Sequence, residues 1–240
     1  GGHPSGRRLA KSLGHSIIQP VPSLFSFSTA ENSLRSCSGI TLDVQIQLIV
    51  NSKKYSGIGP ILITHKGFSG PLVLRLSAFS ARNLYENKYK AQVRINWVCM
   101  NEDEARLKLD LYKFENGKKL VFRNKPFVKI PRRLWVALLT SLNINSQLNW
   151  SDISKIEKES LVKCLTRSKY LINSRGPFGD EFVTAGGISL KEINFKTMES
   201  KICKGLFFAG EVLNIDGVTG GFNFQHCWTS SWVAGNSMKI

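Results

Sequence analysis

The chain has 240 residues, 42% of them hydrophobic, and sets 33 Lys or Arg against 17 Asp or Glu for a formal charge of +16. That length and apolar content suit one or two domains with a buried core and exclude a disordered polymer. No apolar run approaches the roughly 20 residues a membrane span requires, and no signal-peptide core follows the start, so a soluble, cytoplasmic protein is expected.

The five cysteines (Cys37, Cys99, Cys164, Cys203, Cys227) lie far apart, with no C-x-x-C pair or Cys/His ligand spacing. They read as reduced, mostly packed thiols, and no metal site is expected. Basic residues are scattered from Arg7 to Lys239, with clusters at Lys118-Lys119, Arg123 to Lys125 and Lys129 to Arg133. No aromatic-interleaved recognition motif accompanies them, so a solvated surface is favoured over nucleic-acid binding.

In chain order, residues 1–18 read as a strand end, a loop and a short helix through Arg7 to Leu13, closed by Gly14. His15 reads as a helix-end or surface residue. From Pro20 to about Val98 short β-type runs follow: Leu24 to Phe27, Ile40 to Val50, Pro60 to Thr64 and Gln92 to Trp97. Leu42-Asp43-Val44-Gln45-Ile46-Gln47-Leu48 alternates with period 2, as in a strand with one buried face. A small antiparallel sheet or barrel is implied. Pro71 opens a helix through Leu76, and His65 just before it is the one weak candidate for proton transfer, against a plain backbone-bonding role.

Asn101 to Arg167 turns helical, as Glu102 to Phe114, Arg132 to Leu142 and Asp152 to Arg167. Leu134, Leu138 and Leu142 form an apolar stripe, and Trp135 and Trp150 read as core. Strand and loop return from Tyr170 to Ile188, with a turn at Arg175 to Gly179. Gly186 and Gly187 follow a strand and allow close approach of a planar ligand or of another backbone. Thr197 to Ser200 reads as a turn whose hydroxyls cap local backbone.

The stretch that organises the chain is Gly205 to Asn223. Leu206 to Ala209 is an apolar run flanked by glycines and reads as a buried strand, while Gly217, Gly220 and Gly221 open a helix that continues to Gly235. Such a join presents unpaired N–H groups and the positive end of a helix dipole. Glu211, just past the strand, is placed to accept hydrogen bonds from sugar or polyol hydroxyls. Spacing alone suits either a ligand or an ordinary α/β turn. In the helix, Cys227, Ser231, Ala234 and Gly235 read as a small-residue stripe lying close to a sheet, Trp228 and Trp232 as a packed pair one turn apart, and His226 as partly exposed.

Gly205-Leu206-Phe207-Phe208-Ala209-Gly210-Glu211-Val212-Leu213 and Asp216-Gly217-Val218-Thr219-Gly220-Gly221-Phe222-Asn223 resemble the last segment of the FAD-dependent NAD(P) oxidoreductases termed aminoacetone oxidase-like. Thr64 to Pro71, Val183 to Ile188, Lys191 to Asn194 and Thr197 to Lys201 match in the same order. The resemblance implies an α/β protein with a β-barrel and a small helical insert, and with part of a Rossmann-like FAD-binding domain at either end. It places parts of the FAD-binding domain at 1–19 and 189–240, the barrel at 20–100 and 168–188, and the insert at 101–167. It puts FAD against Gly2, Gly186, Gly187, Gly210, Glu211, Thr219, Gly220, Gly221, Phe222 and Asn223, with NAD(P)H as electron donor and a small molecule as substrate. No G-x-G-x-x-G fingerprint occurs, so the chain is expected to be a C-terminal piece that needs the dinucleotide-binding region of the same protein. The alternatives on the same fold are a basic nucleic-acid-binding module or a non-catalytic interaction protein.

Overall fold

The computed structural model describes residues 4–30, 33–176 and 182–238. Gly2 and most of the Arg175 to Gly179 turn lie outside them. The chain forms two compact units. One holds residues 26–76 and 87–177; the other holds residues 1–25, 77–86 and 178–240.

The first unit is built on a closed antiparallel barrel. Its strands are β2 (Phe27–Thr29), β3 (Thr41–Val50), β4 (Lys53–Thr64), β5 (Gly67–Ser69), β6 (Ala91–Asn96) and β7 (Ser168–Arg175), hydrogen-bonded in the order β2-β5-β4-β3-β6-β7. The period-2 reading of Leu42 to Leu48 holds, because Val44, Ile46 and Leu48 are fully buried while Asp43 and Gln45 are exposed. β3 and β4 pair from Thr41 with Leu62 to Val50 with Lys53. Asn51 turns that hairpin at φ 53°, a left-handed conformation that Asn tolerates. Barrel closure leaves these strands no free edge along which to aggregate.

Three helices of the insert, α3 (Glu102–Asn116), α4 (Arg132–Ser141) and α5 (Lys155–Arg167), belong to the same unit. α3 and α5 each start with a complete capping box, Asn101 with Glu104 and Ser154 with Glu157. They are joined by Arg106, whose guanidinium donates to Glu159 at 2.7 and 2.9 Å. Trp135 and Trp150 are buried and stacked with ring centroids 6.3 Å apart. Their indole N–H groups donate to the Val121 and Asn124 carbonyls, as buried indoles require.

The second unit contains α1 (Pro4–Ser12), β1 (Ile17–Ser23), β8 (Val183–Ile188), β9 (Ile193–Asn194), β10 (Glu199–Ser200) and α6 (Gly220–Ser237). The helix α2 (Pro71–Glu86) runs past the expected Leu76 and contributes residues 77–86 here. β1 pairs antiparallel with β8, and β9 with β10. The core gathers Ala10, Ile188, Ile193, Met198, Phe208, Leu213 and Ala234. The division differs from the expected boundaries: residues 20–25 and 182–188 fall in this unit rather than the barrel, because β8 is buried along its whole length and takes β1 as its partner. The insert likewise forms no unit of its own.

Candidate functional site

The glycine-rich join lies in the second unit and differs from its sequence reading in one element. Leu206 to Ala209 is not a strand; it makes a single antiparallel bridge, Phe207 to Glu199. Gly205 and Gly210, at φ 78° and 73°, turn the chain on either side, and the run bonds the 198–200 segment only through Ser200 N–H to the Leu206 carbonyl and Phe208 N–H to the Met198 carbonyl. Leu213 then makes a parallel bridge with Ile188 at the end of β8, and this contact fixes the site against the sheet.

Residues 210–212 form a single 3-10 turn clamped to α6. Gly210 N–H donates to Ser230 Oγ at 2.9 Å, and its carbonyl faces His226 Nε2 at 3.3 Å. Glu211 is half-buried on this turn. Burial pushes the Cys227 thiol above its ordinary range, with the Glu211 charge adding to the effect. Cys227 is therefore a protonated packing residue rather than a reactive thiolate.

α6 opens on Thr219, whose hydroxyl accepts from Phe222 N–H. Asn223 is buried and braces the loop from inside. Its amide accepts from Gly217 N–H at 2.9 Å and donates to the carbonyls of Gly217 and Thr219 at 3.0 and 2.7 Å. Ser23 ties the loop to β1 through Asp216 at 3.2 Å. The side chain of Asn223 thus shapes the turn and does not point a free group outward. Phe222 is exposed.

The glycines of the site divide into two classes. A Cβ on Gly186 would lie 2.6 Å from the Gln19 carbonyl oxygen, and one on Gly187 would lie 2.4 Å from that of Val212, both at strongly positive φ. These two make room for neighbouring backbone, the second of the two roles their pattern allowed. Gly220 has nothing within 4 Å of such an atom, and Gly221 has only the Thr219 hydroxyl at 3.9 Å. Nothing in the described protein needs glycine there. Phe222 N–H goes to the Thr219 hydroxyl and Asn223 N–H to the Thr219 carbonyl, whereas the N–H groups of Gly220 and Gly221 have no intrahelical acceptor and the missing side chains leave them open to a ligand. This is the cradle that an anionic or polarisable group would fill.

One residue escapes the sequence reading. His15 is buried rather than at the surface: Nδ1 lies 3.1 Å from Glu192 Oε2, Nε2 lies 2.9 Å from Ser200 Oγ, and the ring meets Phe208 edge-on. Ser200 Oγ also accepts from Ile202 and Cys203 N–H, so the His15 ring bridges Glu192 and Ser200 within a fully hydrogen-bonded network. Hydrogen bonds from Ser16, and then His15, hold the Glu192 carboxyl below the usual range. The partners are 177 and 185 positions away in sequence, and no local pattern signals them. His65 lies in the barrel unit, exposed at the turn between β4 and β5.

The buried face of α6 also differs from expectation. It runs through Asn223, Ser230 and Ala234, with Cys227 half-buried, while Ser231 and Gly235 are exposed. Trp228 stacks with Phe224 at 6.1 Å rather than with Trp232, and both tryptophans are mostly exposed.

A model of the HI0933-like protein Rossmann domain matches residues 1–237. The chain belongs to that family. It is 27% identical to the 3-dehydro-bile acid delta(4,6)-reductase of Clostridium scindens over 99% of its own length and 58% of the relative's. It is 30% identical to the ribosomal RNA dihydrouridine synthase of Haemophilus influenzae, over all of this chain and 57% of that protein, and 25% identical to the protein of the same name from Escherichia coli over 99% and 57%. The chain thus spans rather more than half the length of these curated relatives. Membership gives the glycine-rich join its context as part of a Rossmann domain, within a family that includes a reductase. Among the described residues no helix is long and apolar enough to cross a membrane.

Proposed function

We propose that this chain carries the C-terminal part of the FAD site of an NAD(P)H-linked oxidoreductase. The observation that carries the reading is the open first turn of α6, where Gly220 and Gly221 stand without any protein contact that requires them. Bound there, a flavin would supply hydride transfer. This chain's residues bind and polarise: the Gly220 and Gly221 N–H groups and the dipole of α6 stabilise negative charge placed before them, and the half-buried Glu211 accepts hydrogen bonds from polyol hydroxyls. The dinucleotide-binding region that would hold the pyrophosphate and adenosine is proposed to come from elsewhere in the same protein, since no G-x-G-x-x-G occurs here. The aminoacetone oxidase-like resemblance is compatible with this site but does not choose its substrate.

The relatives' names share one chemistry, the addition of hydrogen across a ring carbon–carbon double bond, in a steroid acid in one case and in uridine of ribosomal RNA in the other. An activated ring double bond is the substrate feature proposed here. A formal charge of +16 favours the polyanionic substrate of the two, so RNA is the second reading beside a small molecule. The test is spectroscopic. Full-length protein is expected to purify with flavin absorbance that NADH or NADPH bleaches; colourless protein that takes up no added FAD overturns the proposal.

A further inference from the structure

We propose that the face formed by the α3–α4 segment and the start of α4 is a docking surface for the phosphate backbone of RNA. Between Asn116 and Ser151 the sequence has seven Lys or Arg and no Asp or Glu. On the helices of the insert, Glu159 pairs with Arg106, Asp110 with Lys158 and Glu102 with Arg167, while Glu115 and Asp152 flank the basic stretch. The intervening cations have no such partners. Lys118, Arg123, Lys129 and Arg132 are all exposed, and none joins an ion pair among the described residues.

An open groove of about 530 Å³ lies at Arg132, between the 33–36 segment and α4. Arg132, Arg133, Ser33, Ser36, Thr140 and Ser141 line it, with Val136 and Ala137 as its apolar floor. Arg133 is anchored by donating to the Ser36 and Ser38 carbonyls at 3.4 and 3.5 Å, so one guanidinium is fixed and the other free. Guanidinium forks and hydroxyls over a shallow apolar floor suit phosphate and ribose; a globular acidic protein would need a larger apolar patch. The choice of RNA among polyanions rests on the second reading above, whereas the surface is read from charge and groove alone.

The experiment uses full-length protein and a labelled RNA hairpin, with anisotropy read from 50 to 300 mM KCl. The wild type is expected to bind with log K falling linearly in log salt. The exposed double reversal Lys129→Glu/Arg132→Glu is expected to weaken binding at least tenfold and to lower the salt slope by about two, since each lost phosphate contact removes roughly 0.7 to 0.9. The control Lys196→Glu/Lys204→Glu, equally exposed and equal in charge, is expected to change it less than threefold. Unaltered melting temperatures establish that both variants fold. An equal loss in both variants, no hairpin binding by wild type, or tighter binding of heparin than of RNA of matched charge overturns the proposal. Flavin absorbance in the same preparations reports on the cofactor reading independently.

Discussion

At the scale of single residues, the site glycines make opposite predictions under the same substitution. Gly187→Ala sets a Cβ 2.4 Å from the Val212 oxygen at φ 132°, and strain plus overlap is expected to cost more than about 2 kcal/mol in denaturant unfolding. Gly220→Ala meets nothing within 4 Å and is expected to leave stability within about 0.5 kcal/mol while weakening FAD binding roughly tenfold. Unchanged affinity there would mean that no ligand approaches the turn. Glu211→Ala is expected to reduce FAD affinity tenfold to a hundredfold, the worth of one charge-assisted hydrogen bond of about 1.5–3 kcal/mol; flavin fluorescence titration reads both variants. Glu192 gives a pH prediction. Its folded pKa lies below the ordinary carboxylate value, so its contribution is complete above that ordinary value and fades as pH falls through the folded one. Glu192→Gln is expected to lower the melting temperature at pH 7 and to flatten its fall below pH 5.

At the scale of elements, helix starts are local and the faces they bury are not. The Ser154 hydroxyl accepts from Glu157 N–H, and Glu157 accepts from both the Ser154 hydroxyl and its amide, which lowers the Glu157 pKa. Ser154→Ala is expected to cost about 1 kcal/mol by thermal unfolding; a change under 0.3 kcal/mol would show the box to be dispensable. α6 is the opposing case. Its length and N-terminus are legible from the glycines, but its small residues do not mark its buried face. Asn223 and Ser230 do, because each satisfies a backbone group of the adjoining turn, and only the fold brings those groups within reach.

At the scale of the whole molecule, the barrel and insert share one unit with a closed sheet, three helices, two of them started by capping boxes, and a tryptophan core. Limited proteolysis is expected to leave a resistant product close to residues 26–177, identifiable by mass; preferential survival of 182–238 would overturn that ranking. The other unit exposes Phe224, Trp228 and Trp232 on α6, and this 240-residue chain alone is expected to bind FAD at least a hundredfold more weakly than the full-length protein.

The sequence by itself determined β3, β6 and the end of β4 in the barrel, the three helices of the insert, the tryptophan core and a helix opened by the glycines at 217–221. Each depends on periodicity, capping or apolar bulk within about a dozen residues. Tertiary structure alone decided the burial of His15 between Glu192 and Ser200, the loss of the Leu206 to Ala209 strand, and the pairing of β8 with β1. It also decided that Gly186 and Gly187 admit backbone while Gly220 and Gly221 face open space. A glycine is silent about what approaches it, and a hydrogen-bond partner 177 residues away leaves no trace in local pattern; both are settled only when distant segments pack together.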